Sequence, residues 1–152
     1  MPHVKVAFEV QNDDGSTEIE TLWAEPIGSH VYRLDNSPFC VYSVSWQDEV
    51  LAPPSPDGLP TFQRVASKSR NRTVRIRLDP PYEDGNESAK EMQSLVAMGC
   101  SFEGSRNRLM SVNIPVELSL TEIREHLIAR NLEWEHADPT YEELFPSAAT
   151  DA

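Results

Sequence analysis

Hydrophobic and polar residues alternate through the first half of the chain and then change rhythm. Val4, Val6, Phe8 and Val10 interleave with His3, Lys5 and Glu9, the two-residue period of a strand with one buried face. Asn12-Asp13-Asp14-Gly15 supplies turn chemistry. A second strand is predicted from Ile19 to Glu25, stopped by Pro26, and a third over His30–Leu34 after a turn at Ile27-Gly28-Ser29. Tyr42, Val44 and Trp46 alternate with Ser43 and Ser45, which predicts another strand before a turn at Gln47-Asp48-Glu49. Pro53 to Gly58 reads as a loop poor in ladder donors. Thr61–Ala66 and Arg72–Leu78 read as the arms of a hairpin around Ser67 to Asn71. Short strands at this spacing predict a small barrel- or sandwich-like half over residues 3–71.

Helical periodicity enters in the second half. Ser88-Ala89-Lys90-Glu91 has the form of a capping box, Met92, Leu95 and Val96 share a helical face, and Gly99 is placed to end the helix. Met110, Val112, Ile114 and Val116 then alternate with Ser111 and Asn113 as a strand, with Pro115 marking its far end as an edge. Ser119-Leu120-Thr121-Glu122 is a second capping box, flanked by a hydrophobic staple of Leu118 and Ile123, and Asn131 closes that helix. Leu132 and Trp134 open a closing strand. The order from Arg72 is β-α-β-β-α-β, the plan of a ferredoxin-like unit over residues 72–138. The expected class is therefore α+β, with a polar, mobile tail over residues 139–152 in which Tyr141, Leu144 and Phe145 can dock as a helical turn.

Composition narrows the classes. With 152 residues and 39% hydrophobic content the chain can bury a core without a metal or disulfide staple. No apolar run is long enough to cross a membrane, and the N-terminus lacks a signal-peptide stretch. Cys40 and Cys100 then read as two reduced, packed thiols in a cytosolic protein.

The net charge of −12 is unevenly placed. Residues 1–62 carry two bases against ten acids, and residues 79–152 five bases against fifteen acids. Between them Arg64, Lys68, Arg70, Arg72, Arg75 and Arg77 occur with no acid. These six residues are the sharpest candidate binding feature, a cationic ridge for phosphate or an acidic surface. The competing reading, which the charge pattern favours, is internal compensation of two acidic flanks. No aromatic interleaves with the bases, which argues against single-stranded nucleic acid.

No catalytic or cofactor motif is present. His3, His30, His126 and His136 are scattered, the cysteines are unpaired in spacing, and Glu135-His136-Ala137-Asp138 reads as a solvated strand end rather than a metal site. Glycine-rich phosphate loops are absent from the sequence, and no cofactor is expected. Trp23, Tyr32, Phe39, Tyr42 and Trp46 read as core aromatics of the β-rich half.

Three stretches carry a family likeness: Leu22-Trp23-Ala24-Glu25-Pro26, then Tyr32-Arg33-Leu34-Asp35-Asn36-Ser37-Pro38-Phe39, then Val44-Ser45-Trp46-Gln47-Asp48-Glu49-Val50. The chain resembles a bacterial family, the domain of unknown function numbered 4265, over roughly residues 4–136. Trp46 stands where that family more usually has tyrosine. The resemblance implies a bacterial source and transfers no catalytic residue; Trp23, Glu25, Pro26, Tyr32, Asp35, Asn36, Pro38 and Phe39 are its motif residues, without an implied role.

Size, acidity and the lack of catalytic motifs favour a non-enzymatic binding protein, of the immunity or antitoxin kind, that neutralises a basic protein partner. The alternatives are a regulatory module for a small molecule or nucleotide, and an enzyme whose site is assembled from residues distant in sequence.

Overall fold

The structure, a computed structural model, describes residues 3–146. Residues 1–2 and 147–152, the latter part of the stretch expected as a tail, lie outside the described residues. The fold is mixed α+β, built on two antiparallel sheets. In the first, β1 (Val4–Gln11), β2 (Thr17–Gly28), β3 (Val31–Leu34), β4 (Glu49–Leu51) and β5 (Arg64–Ser67) follow one another as a meander. Its core is Val6, Phe8, Leu22, Ala24, Leu34, Val41, Val44, Val50 and Ala52.

The barrel-like closure expected for this half does not form. The path back to β1 is a single isolated bridge between Ala7 and Thr61, held by Ala7 N donating to Pro60 O and Phe62 N to Ala7 O. Proline at positions 53, 54, 56 and 60 removes the donors a longer ladder needs. Two strand boundaries also differ. β2 runs through Pro26 to Gly28, because the register shifts there and a bulge accommodates a residue with no amide hydrogen. Tyr42 to Trp46 is not a strand: Ser43 and Gln47 take φ of 69° and 70°, which turns the chain twice. The alternation there reports a loop with two dissimilar neighbours. Val44 enters the first core, whereas Ser45 faces the second sheet.

The second sheet has the order β7-β8-β6-β9, from β6 (Arg72–Arg77), β7 (Ser101–Ser105), β8 (Leu109–Ile114) and β9 (Glu133–Asp138). The expected hairpin of the basic segment therefore does not exist: β5 pairs with β4 in one sheet, and β6 with β8 and β9 in the other. Helices α1 (Glu87–Met98) and α2 (Leu120–Ala129) cover one face of the second sheet, sealing Val74, Ile76, Met92, Leu95, Met110, Val112, Ile114, Ile123 and Leu127.

α1 starts at Asn86, whose side chain accepts from Ala89 N, rather than at the predicted Ser88 box. Ser88 instead lies in the first turn and donates to Pro80 O. Ser119 caps α2 as expected, accepting from Glu122 N, and Asn131 follows its end at φ 57°. A short α3 (Tyr141–Leu144) begins where Thr140 and Glu143 form a reciprocal capping box.

Gly99 ends α1 at φ 112°, and a Cβ there would meet Leu118 at 3.2 Å. Gly99→Ala is expected to destabilise the protein by about 1–2 kcal/mol, from left-handed strain and crowding together. Urea denaturation measures it; an unchanged midpoint would contradict the account.

Candidate binding cleft

The face of the second sheet opposite the helices is polar. Strand alternation puts Thr73 and Arg75 of β6, Ser111 and Asn113 of β8, and Glu135 of β9 on that side, and Glu103 of β7 lies there too. This face is covered by the loop between β3 and β4, so Thr73, Arg75, Ser111 and Asn113 are all buried.

Arg75 is the centre of the contact, with 2% of its surface exposed. Its Nη1 donates to Val41 O at 2.8 Å and to Pro38 O at 3.3 Å, and its Nε to Glu135 at 2.9 Å. Its guanidinium carbon sits 4.5 Å from the centre of the Tyr42 ring, and Tyr42 Oη donates to the other oxygen of Glu135 at 2.7 Å. The guanidinium donates from Nε, Nη1 and Nη2 to one loop and one strand, and Tyr42 covers one of its faces. Burying such a charge is tolerable only under those conditions.

A second polar knot lies beside it. Asp48, fully buried, accepts from Ser45 N, Ser69 N and Lys68 Nζ. The same Lys68 ammonium reaches Asp138 at 2.6 Å, and Ser45 Oγ is 2.6 Å from both Asp138 and Thr73. Burial alone would lower the Lys68 pKa, but hydrogen bonds to Asp138 and Asp48 outweigh it and raise the value above the ordinary one. Lys68 is thereby held as a cation and is a strut, not a nucleophile.

Outside these contacts an open cleft of about 510 Å³ runs by β9, lined by Tyr42, Trp134, Glu135, His136, Thr140, Tyr141 and Glu142. It is accessible because β9 is an edge strand, paired only with β6. Tyr42 and Tyr141 are about half exposed. The rings of Trp134 and His136 are 4.6 Å apart, and His136 is 5.7 Å from Tyr141. Arg124 of α2 stacks on Phe145 at 4.8 Å and donates from Nε to His136 Nε2 at 2.9 Å. That bond assigns Nε2 as an acceptor, so the neutral imidazole carries its proton on Nδ1. Burial, and then the Arg124 charge, push the His136 pKa below its usual value, against a smaller opposing pull from Glu142.

The residues singled out in the basic segment part company here. Arg75 is buried in the joint described above, Lys68 is paired there with 40% of its side chain exposed, and Arg72 Nη2 is spent on Pro115 O and Leu118 O. Arg64, Arg70 and Arg77 are exposed, on different elements. No cationic ridge forms.

The family-motif residues from Asp35 to Phe39 prove to be the fittings of the covering loop. Asn36 accepts from Trp23 N and donates to Glu103, and Ser37 N donates to Glu103 at 2.6 Å. Pro38 O accepts from Arg75 and Ser111, while Phe39, Cys40 and Val41 all donate backbone hydrogens to Glu20. Asp35 accepts from the Trp46 indole. Glu25 pairs with Arg33, Pro26 lies opposite Tyr32, and Tyr32 packs on the first core.

Trp23 and Tyr42 are not core residues as expected but are 46% and 47% exposed. Of the cysteines, Cys100 is packed and its thiol is pushed up to about 11 by burial, whereas Cys40 is exposed; both are free.

The family model for Domain of unknown function (DUF4265) matches residues 20–136, which include all three motif stretches, the Arg75 contacts and the second polar knot except Asp138. The chain belongs to the DUF4265 family. Among solved structures, it is similar to a hypothetical protein from Neisseria gonorrhoeae, with a TM-score of 0.74 and 14% identity, over 93% of this chain and 98% of that one. The likeness is one of fold. No curated protein matches. The covering loop lies within the DUF4265 match, while Asp138 of β9 and Thr140, Tyr141 and Glu142 of the cleft lie beyond it.

Arg75→Met is expected to destabilise the protein by about 2–4 kcal/mol, because the carbonyls of Pro38 and Val41 and the Glu135 carboxylate lose their donor. Arg75→Lys should recover less than half of that, since an ammonium cannot span the same partners. A loss under about 1 kcal/mol in denaturant titrations would contradict the central role of Arg75.

His136 gives a pH signature. Its folded pKa lies below the unfolded value of about 6.5, so the unfolded chain takes up the proton first as pH falls. Stability should therefore decline from about pH 6.5 downward, through the lower folded pKa. His136→Gln should flatten this part of the curve, read as melting temperature against pH.

Proposed function

We propose that this protein is a non-enzymatic binding protein that engages a basic protein partner, in the manner of an immunity or antitoxin protein. The observation that carries the reading is the cleft beside β9, where Tyr42, Trp134 and Tyr141 stand with Glu135 and Glu142. Exposed aromatic rings with carboxylates at their margins suit a cationic surface, and the net charge of −12 speeds approach of such a partner. The groups elsewhere that resemble catalytic machinery are engaged structurally: Lys68 and Ser45 are tied to carboxylates, and the Cys100 thiol is buried and raised in pKa.

The four strands and two helices from β6 to β9 are read as a ferredoxin-like unit, supported by the sheet order β7-β8-β6-β9. The free Cys40 and Cys100 support a reducing compartment such as the cytosol, and the Neisseria neighbour supports a bacterial source. No helix among the described residues is long and apolar enough to cross a membrane. A second reading, a small-molecule regulatory module, is favoured by the cleft volume of about 510 Å³, within the size range of ligand pockets.

The test is capture of a stoichiometric, basic partner from the native host on the immobilised protein at low salt. Retention should fall steeply as salt rises, and the Tyr141→Ala, Glu142→Gln double variant should lose the partner while keeping its melting temperature. Capture that survives the double variant, or a partner with no basic surface, would overturn this reading.

A further inference from the structure

We infer that the cleft beside β9 is a receptor for a guanidinium group, an arginine side chain presented by the partner, seated against Trp134 and Tyr141 with Glu142 as its carboxylate. This rests on the proposed binding function and names the chemistry of that site. The molecule already contains the arrangement twice at the margins of this cleft. Arg75 lies on the ring of Tyr42 with Glu135 at its edge, and Arg124 lies on the ring of Phe145 with His136 Nε2 at its edge. In both cases a planar cation covers an aromatic face while an acceptor takes its in-plane hydrogen. Arginine suits this better than lysine, because its guanidinium is weakly hydrated, stacks, and donates in a fixed fork.

The cleft lining holds a third set of the same parts, Tyr141, Trp134 and Glu142, on which no arginine of the described residues stacks. Tyr141 is 56% exposed, Trp134 is partly exposed, and Glu142 takes part in no hydrogen bond or ion pair among the described residues. Glu135 is half exposed and keeps acceptor capacity after serving Arg75 and Tyr42. The charge of the cleft lining also favours a cation. Of its lining residues Glu135 and Glu142 are acidic, and none is a lysine or an arginine. Thr140, the remaining polar lining residue, is occupied in capping α3 and does not compete.

The experiment is a titration of the full chain with three short capped peptides, Gly-Arg-Gly, Gly-Lys-Gly and Gly-citrulline-Gly, up to about 10 mM. The chain's tryptophans, Trp23, Trp46 and Trp134, give separate indole N–H signals in a nitrogen–proton NMR spectrum, assigned by single Trp→Phe variants. The arginine peptide is expected to move the Trp134 signal, to bind at least about fivefold tighter than the lysine peptide, and to outbind the uncharged, isosteric citrulline peptide by more. Glu142→Gln and Tyr141→Ala, both on the exposed face of α3, should each weaken the response; Trp23→Phe should not. Equal binding of lysine, or shifts confined to Trp23 or Trp46, would overturn the guanidinium assignment while leaving a basic partner standing. Silence of all three indoles to both cationic peptides would overturn the assignment and count against a basic partner at this cleft as well.

Discussion

The guanidinium of Arg75 holds the rest of the structure to its shape. It points from the middle of the second sheet, away from the helices, where a bare charge would be costly to bury. That cost vanishes only if carbonyls and a carboxylate are brought to it, and one loop of the first half brings the carbonyls of Pro38 and Val41. The consequence runs outward. To point those carbonyls at Arg75 the loop must turn its amides the other way, and the amides of Phe39, Cys40 and Val41 are collected by Glu20 of β2. At one end Glu103 of β7 takes Asn36 and Ser37; at the other the Asp48–Lys68–Asp138 bridge takes Ser45 and Ser69. The two sheets are joined by hydrogen-bonded polar groups, with Asn113 Oδ1 a buried exception on that face, rather than by a shared apolar core, which is why two separate core clusters exist.

A joint of this kind is specific and unforgiving. Each apolar core tolerates exchanges of similar volume, but a buried network that loses one member leaves its partners unpaired. This gives the motif residues of the DUF4265 family a physical meaning that the motif alone does not disclose. Asn36, Pro38 and Phe39 are needed for what their backbone and amide groups present to Arg75, Glu103 and Glu20. They are fittings of the joint, and no ligand is required to explain them.

Local pattern was legible and long-range pairing was not. The alternation from Val4 to Val10 and from Met110 to Ile114, the cap at Ser119 and the stop at Gly99 are decided by neighbours within a few residues, and all appear as read. The basic segment has the pattern of a hairpin because two strands adjacent in sequence look like one whether or not they pair, and here β5 and β6 enter different sheets. Tyr42 to Trp46 was misread because alternation records a chain with unlike environments on its two sides, which a loop between two sheets satisfies as well as a strand. The cleft was invisible for a third reason: Tyr42 and Glu135, hydrogen-bonded to each other, are 93 residues apart, and neither carries a motif of its own.

The same contrast revises what the charge map means. As sequence, the six bases from Arg64 to Arg77 form one block between acidic flanks; as structure, they divide by whether they have partners within the chain. Buried Arg75, half-buried Arg72 and the more exposed Lys68 are met by Glu135, backbone carbonyls, Asp48 and Asp138. Compensation is therefore real but internal, and it binds the halves together rather than softening the surface. Glu142 lies outside this exchange, beside the rings of Trp134 and Tyr141 on the one flank of the second sheet where β9 leaves its edge free. An arginine in that position from another molecule would repeat, across an interface, the contact that Arg75 makes within the chain.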